Sequence, residues 1–124
     1  MPIHIDFFHP SRLAIAVVRG TITADDVSSA VHQFLASDVL HYRKIIDIAS
    51  PTAPLDKAGV ETMANLVIAQ RTSKPKGPLA FVVNSGQAAD NAEAFAKLTE
   101  GERPVKVFQS LHEARKWLDE HSQA

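Results

Sequence analysis

Residues 79–83 read Leu-Ala-Phe-Val-Val, an unbroken apolar run with no polar position on either side of the chain. A strand with one wet face alternates apolar and polar residues. A short run without alternation is instead a strand covered on both faces, as in the interior of a parallel sheet. The flanks agree. Upstream, Val60, Met63, Ala64, Val67 and Ile68 recur at helical spacing, and the loop of residues 71–78, Arg-Thr-Ser-Lys-Pro-Lys-Gly-Pro, ends that helix. Downstream, Asn84-Ser85-Gly86 turns into another helix with Ala88, Ala92 and Phe95 inward and Leu98 as the next position on that side.

Working outward, residues 44–49, Lys-Ile-Ile-Asp-Ile-Ala, give a compact strand ahead of the second helix, and residues 104–108, Pro-Val-Lys-Val-Phe, give one after the third. Residues 3–8 and 12–18 are two further strands separated by the turn-forming His9-Pro10-Ser11. In the first of them Ile3, Ile5 and Phe7 share one face, and His4, Asp6 and Phe8 the other. Thr23 is placed as an N-cap, with Asp25 and Asp26 in the first turn at the positive end of the helix dipole. Val27, Ala30, Val31, Phe34 and Leu35 then form one apolar stripe. Ser110 and Glu113 have the spacing of a capping box opening a last helix, with Leu111, Ala114, Trp117 and Leu118 inward. The order is β-β-α-β-α-β-α-β-α. Alternating strands and helices predict right-handed crossovers and a mostly parallel sheet, made mixed if the opening pair forms a hairpin.

Composition narrows the function classes. One domain over residues 1–124 is the natural reading of this length, and the chain is long enough to bury a core without staples. Thirteen basic and 14 acidic residues leave a formal charge of −1, which provides no broad field for nucleic acid or anionic membrane. The absence of Cys excludes disulfides, thiolate chemistry and Cys-ligated metal. The opening residues lack the basic start and apolar run of a signal peptide, and no stretch approaches the ~20 apolar residues that span a bilayer, so a cytoplasmic protein without stable membrane anchoring is expected.

With Gly20-Thr21-Ile22-Thr23 ahead of the first helix, the layout resembles the STAS family, the anti-sigma-factor antagonists. In that family a strand ending Asp-Leu-Ser leads through a short loop to Asp-Ser-Ser-Gly-Leu at a helix start. Here Ile46-Asp47-Ile48-Ala49-Ser50 leads to Asp56-Lys57-Ala58-Gly59-Val60. The closing Val107-Phe108, Glu113-Ala114 and Trp117-Leu118 are similar to the end of small bacterial STAS/SEC14-type proteins. The resemblance covers nearly the whole chain in layout, on short motifs. It implies a single STAS-like α/β domain with a mostly parallel or mixed five-stranded sheet and four helices, a regulatory or interaction role, and no enzymatic active site. In antagonists a partner kinase phosphorylates one of the two serines. Those positions fall on Lys57 and Ala58, neither of which carries a hydroxyl. Asp56 remains as an N-cap and Gly59 as a point of close backbone approach, so the helix start persists without its switch.

In an open α/β sheet, ligands lie beyond the carboxyl ends of the parallel strands, where helix N-termini also point. Residues 50–57, 84–87, Gln109 and Ser110 should gather there, offering hydroxyls, amides and one lysine to a small anion or lipid-like ligand, or serving simply as caps. The outward face of the second helix, Ala58, Thr62, Asn65, Leu66 and Ala69, is nearly uncharged where a solvated face would carry Lys and Glu, which suits a protein partner or a second copy. The candidate binding residues are therefore Ser50, Thr52, Asp56, Lys57, Ala58, Thr62, Leu66, Asn84 and Ser85. No cofactor is expected. Asp47 ends a strand as a receiver phosphoacceptor would, but neither Phe8-His9 nor Phe108-Gln109 supplies the acidic pair or the lysine, so it is expected to accept from loop N–H groups. Val83-Asn84-Ser85-Gly86-Gln87 lacks the outer glycines of a nucleophile elbow. The six histidines are scattered, without the spacing of metal ligands. The basic loop of Arg71, Lys74 and Lys76 has no interleaved aromatics and reads as a solvated turn rather than a nucleic-acid contact.

Overall fold

The computed structural model describes residues 3–19, 23–37, 39, 41–48, 61, 64, 65, 68, 69, 77–83, 87–99, 101 and 103–120. Strand β1 (Ile3–Phe8) and strand β2 (Leu13–Val18) are joined by a 3-10 turn over His9–Ser11. Helix α1 (Ala24–Ala36), strand β3 (Arg43–Ile48), strand β4 (Leu79–Val82), helix α2 (Gln87–Thr99), strand β5 (Val105–Phe108) and helix α3 (Leu111–Glu120) follow. The fourth expected helix falls between β3 and β4. There Glu61, Ala64, Asn65 and Ile68 are helical, and the Ala69 N–H donates to the Asn65 carbonyl at 2.9 Å.

Strand boundaries shift by about one residue for identifiable reasons. Arg12 was expected inside the second strand. Instead it takes a left-handed conformation (φ 51°, ψ 52°) and closes the 3-10 turn, its N–H donating to the His9 carbonyl at 3.1 Å, so β2 begins at Leu13. Val83 lies just past β4 yet continues the ladder, its N–H donating to the Phe108 carbonyl at 2.9 Å.

Among the described residues the sheet has five strands in the order β1-β2-β3-β4-β5. The first pair is an antiparallel hairpin, Ile3 opposite Val18 and Phe8 opposite Leu13. The other three pairs are parallel, through Leu13 and Arg43, Lys44 and Leu79, and Leu79 and Val105. A sequential order with right-handed crossovers places every crossover helix on one face. The packing follows that rule. On the crossover face, Leu79, Phe81, Val83 and Ala92 form a buried cluster with Ile46, Ile48, Phe95, Val105 and Val107 around it, and the Phe34 ring of α1 meets Phe7 edge-on at 5.5 Å. On the opposite face Leu13, Ile45, Ala80 and Val82 pack under Ala114 and Leu118 of α3, with Ile15, Phe108 and Trp117 at the margin. β4 is thus buried along its whole length because it carries both clusters.

Two inward assignments are corrected. Leu98 is 46% exposed and Leu111 is 42% exposed. On α2 the buried stripe runs through Ala92, Ala96 and Thr99, with Phe95 against Phe81, and Leu98 falls off it. Thr99 tolerates full burial because its hydroxyl donates to the Phe95 carbonyl one turn back at 2.9 Å. On α3, Leu111 is the first helical residue, and the helix meets the sheet only from Ala114 onward.

Candidate functional site

Because β2 to β5 run parallel, their carboxyl ends share one edge of the sheet. Val18 lies opposite Ile48, Asp47 opposite Val82, and Val82 opposite Phe108. The starts of α1, α2 and α3 follow directly from strands ending on that edge. This is the crevice where the sequence places a ligand, and two of its helix starts are closed by the chain's own side chains. At α1 the Thr23 N–H donates to Asp26 Oδ2 at 2.9 Å, while the Asp26 N–H donates to Thr23 Oγ1 at 3.2 Å. That is a reciprocal capping box with Asp in the place of Glu. At α3 the Glu113 N–H reaches Ser110 Oγ at 3.4 Å, and the Ala114 N–H donates to the Ser110 carbonyl at 3.1 Å. Ser110 therefore caps a helix, and Gln109 beside it is exposed.

Ser50, Thr52, Asp56, Lys57, Ala58, Thr62, Leu66, Asn84 and Ser85 lie outside the described residues, as does the basic loop of Arg71, Lys74 and Lys76. The neighbours of the second-helix set are described and orient its face. Ala64 is buried and Ile68 half-buried, whereas Glu61, Asn65 and Ala69 are exposed. Ala64 and Ile68 of the expected apolar stripe therefore face inward, and Asn65 and Ala69 of the nearly uncharged face point outward. Glu61 adds one charge to the exposed side.

Asp47 is half-buried on β3 beside Val17 and Val82, and among the described residues no hydrogen bond reaches its carboxylate. The loop that was to supply its donors, residues 49–60, lies outside the described residues. Among the described residues the histidines are divided between separate places. His4 Nε2 lies 3.2 Å from Asp6 Oδ1 on the exposed side of β1, and His9 Nδ1 lies 2.7 Å from the Tyr42 hydroxyl. Among the described residues no group of three His, Cys, Asp or Glu could hold a metal ion, and no helix is long and apolar enough to cross a membrane.

The opposite edge holds a polar cluster that sequence reasoning missed. Lys44 is 6% exposed on the crossover face, its ammonium donating to the carbonyls of Tyr42 at 2.9 Å and Gly77 at 3.4 Å. The ring of Tyr42 packs edge-on against His9 and His41. The one available signal was the lysine heading a strand that otherwise reads as core.

The architecture matches a crystal structure of an uncharacterized protein from the DUF3478 family with a SpoIIAA-like fold, from Shewanella loihica PV-4. The TM-score is 0.64 over 94% of this chain and 91% of that one, at 16% identity. This chain has a SpoIIAA-like fold. No family model and no curated protein matches the sequence. The SpoIIAA-like architecture is the antagonist layout anticipated in the sequence, with a five-stranded mixed sheet. At this identity the likeness concerns the backbone and transfers no residue role.

Proposed function

We propose that this protein is a non-enzymatic regulatory or protein-interaction module that contacts its partner through residues 57–69. The observation that carries this reading is the orientation of the 61–68 helical segment. Ala64 is buried and Ile68 half-buried, whereas the uncharged Asn65 and Ala69 are exposed. A surface helix with no partner ordinarily carries a charged outer face. The ligand-binding alternative at the strand-end crevice is weaker, because Thr23 with Asp26 and Ser110 already engage first-turn donors at two of its helix starts.

Leu66→Glu tests the proposal. It places a charge in the contact and leaves Val60, Met63 and Val67 unchanged, so the denaturation midpoint should hold while association falls. Capture from the native lysate with wild type and variant in parallel, followed by mass spectrometry and sedimentation, provides the readout. A partner retained equally by the variant removes this surface from the proposal.

A further inference from the structure

We propose that β1 is a self-complementary edge strand that pairs antiparallel with β1 of a second copy about a two-fold axis at Ile5. This surface is separate from residues 57–69, and the inference stands or falls independently of the reading above.

The two edges of the sheet are built differently. β5 has four residues, follows Pro104 and exposes Lys106 at its middle. Short length, a proline without a donor and an exposed lysine are the usual means of keeping an edge from pairing. β1 is the other edge; it too follows a proline in sequence, Pro2, and exposes Asp6, but at six residues, Ile-His-Ile-Asp-Phe-Phe, it is longer than β5 and carries no lysine. Among the described residues it pairs with β2 alone. α1 reaches its flat face, through Phe34 on Phe7, rather than another strand position. The outward backbone groups of β1 are therefore a template for another strand.

The side chains select both the partner and the register. A two-fold axis normal to the sheet keeps each face continuous, so residues of like face must oppose each other. Four centres satisfy this within the strand, and the one at Phe7 leaves only residues 6–8 overlapping. A centre at Asp6 sets the two Asp6 carboxylates against each other, and cross-strand like charges destabilise. A centre at His4 opposes two histidines and leaves only residues 3–5 overlapping. A centre at Ile5 pairs His4 with Asp6 of the second copy twice, Ile3 with Phe7 twice, and Ile5 with itself. It thus combines five paired residues, two His–Asp pairs and a continuous apolar face. His4 and Asp6 lie 3.2 Å apart within the strand and are 73% and 57% exposed on the same face, so each can exchange its neighbour for the one across the axis. Ile3, Ile5 and Phe7 are only half-buried in the single chain and would be covered further. The contact is isologous and closes at two copies, because the remaining outer edges are the blunted β5 strands. A strand edge buries less than the ~800 Å² per partner of a standard interface, so the dimer is weak and concentration-dependent.

Sedimentation of the full chain from about 10 to 500 μM should show mass rising toward twice the monomer, a range that brackets weak association. H4D sets Asp against Asp twice, and D6H sets His against His. Each should raise Kd roughly tenfold, while the double swap H4D/D6H restores it to within about twofold of wild type. Both positions are exposed, so the swaps leave folding intact. The chain has no cysteine, which makes cross-linking specific. I5C brings two Cα atoms to about 4.5–5.5 Å across the axis, within disulfide range, and should oxidise to a covalent dimer. F8C, about 20 Å from its counterpart in this register, should not. A monomer at every concentration overturns the proposal. So does a dimer indifferent to H4D, a swap that fails to rescue, or dimerisation lost with L66E but not with H4D.

Discussion

Gly77 illustrates how a single backbone position can be decided by a strand far away in the chain. A Cβ built there would overlap the carbonyl oxygens of Tyr42 and His41, both backbone atoms with no rotamer to yield. The approach is close because the Gly77 carbonyl also accepts from the buried ammonium of Lys44, while the Lys44 N–H donates to the Pro78 carbonyl at 2.9 Å. A buried ammonium is tolerated only where acceptors replace its water, and the Tyr42 and Gly77 carbonyls do so here. Gly77→Ala should therefore push apart the entry to β4 and the segment leading into β3. We expect a loss of about 3 kcal/mol, at the upper end of overpacking costs, read from urea denaturation. An unchanged midpoint would mean that the two segments can separate freely. Gly and Pro at 77 and 78 mark a turn in the sequence, but nothing local says that the glycine is there for His41 and Tyr42.

At the scale of elements, the starts of the first and last helices were the most legible part of the described chain, because a cap and its receiving N–H lie within four residues of each other. Thr23 and Ser110 were both placed correctly from spacing alone, and the reciprocal bond from the Thr23 N–H to Asp26 adds a second donor to the first cap. Thr23→Ala removes the hydroxyl acceptor of the Asp26 N–H and should cost about 1 kcal/mol, while Thr23→Ser should cost much less. Thermal unfolding of the two variants side by side distinguishes a lost cap from a lost methyl group. Strand ends were legible to within a residue. Arg12 is drawn into the local 3-10 turn by its bond to His9, and Val83 is held by Phe108 of the neighbouring strand.

For the molecule as a whole, the sequential strand order places the crossover helices on one face and leaves α3 to cover the other, across β3, β4 and β5. One short helix then carries much of a core cluster, which makes its buried residues disproportionately important. Leu118→Ala should cost about 3 kcal/mol, within the range for a buried leucine, whereas Leu111→Ala on the same helix should cost well under 1 kcal/mol because its side chain is largely in water already. Equal costs would mean that Leu111 packs in solution. The common edge of the parallel strands' carboxyl ends was legible, and the described flank of the second helix has the expected side inward, while the candidate site residues themselves lie outside the described residues. By itself the sequence determined the class, the order of the strands and helices along the chain, the two faces of β1, the double burial of β4 and the caps of the first and last helices. All of these depend on residues within about a turn or a few pleats of each other, where periodicity and short-range hydrogen bonds dominate. Only the tertiary structure decided the strand order, the burial of Lys44, the requirement for Gly77, the exposure of Leu98 and Leu111, and which edge of the sheet is left unprotected. Each of these is a contact between segments tens of residues apart, and its energy depends on what arrives from elsewhere in the chain.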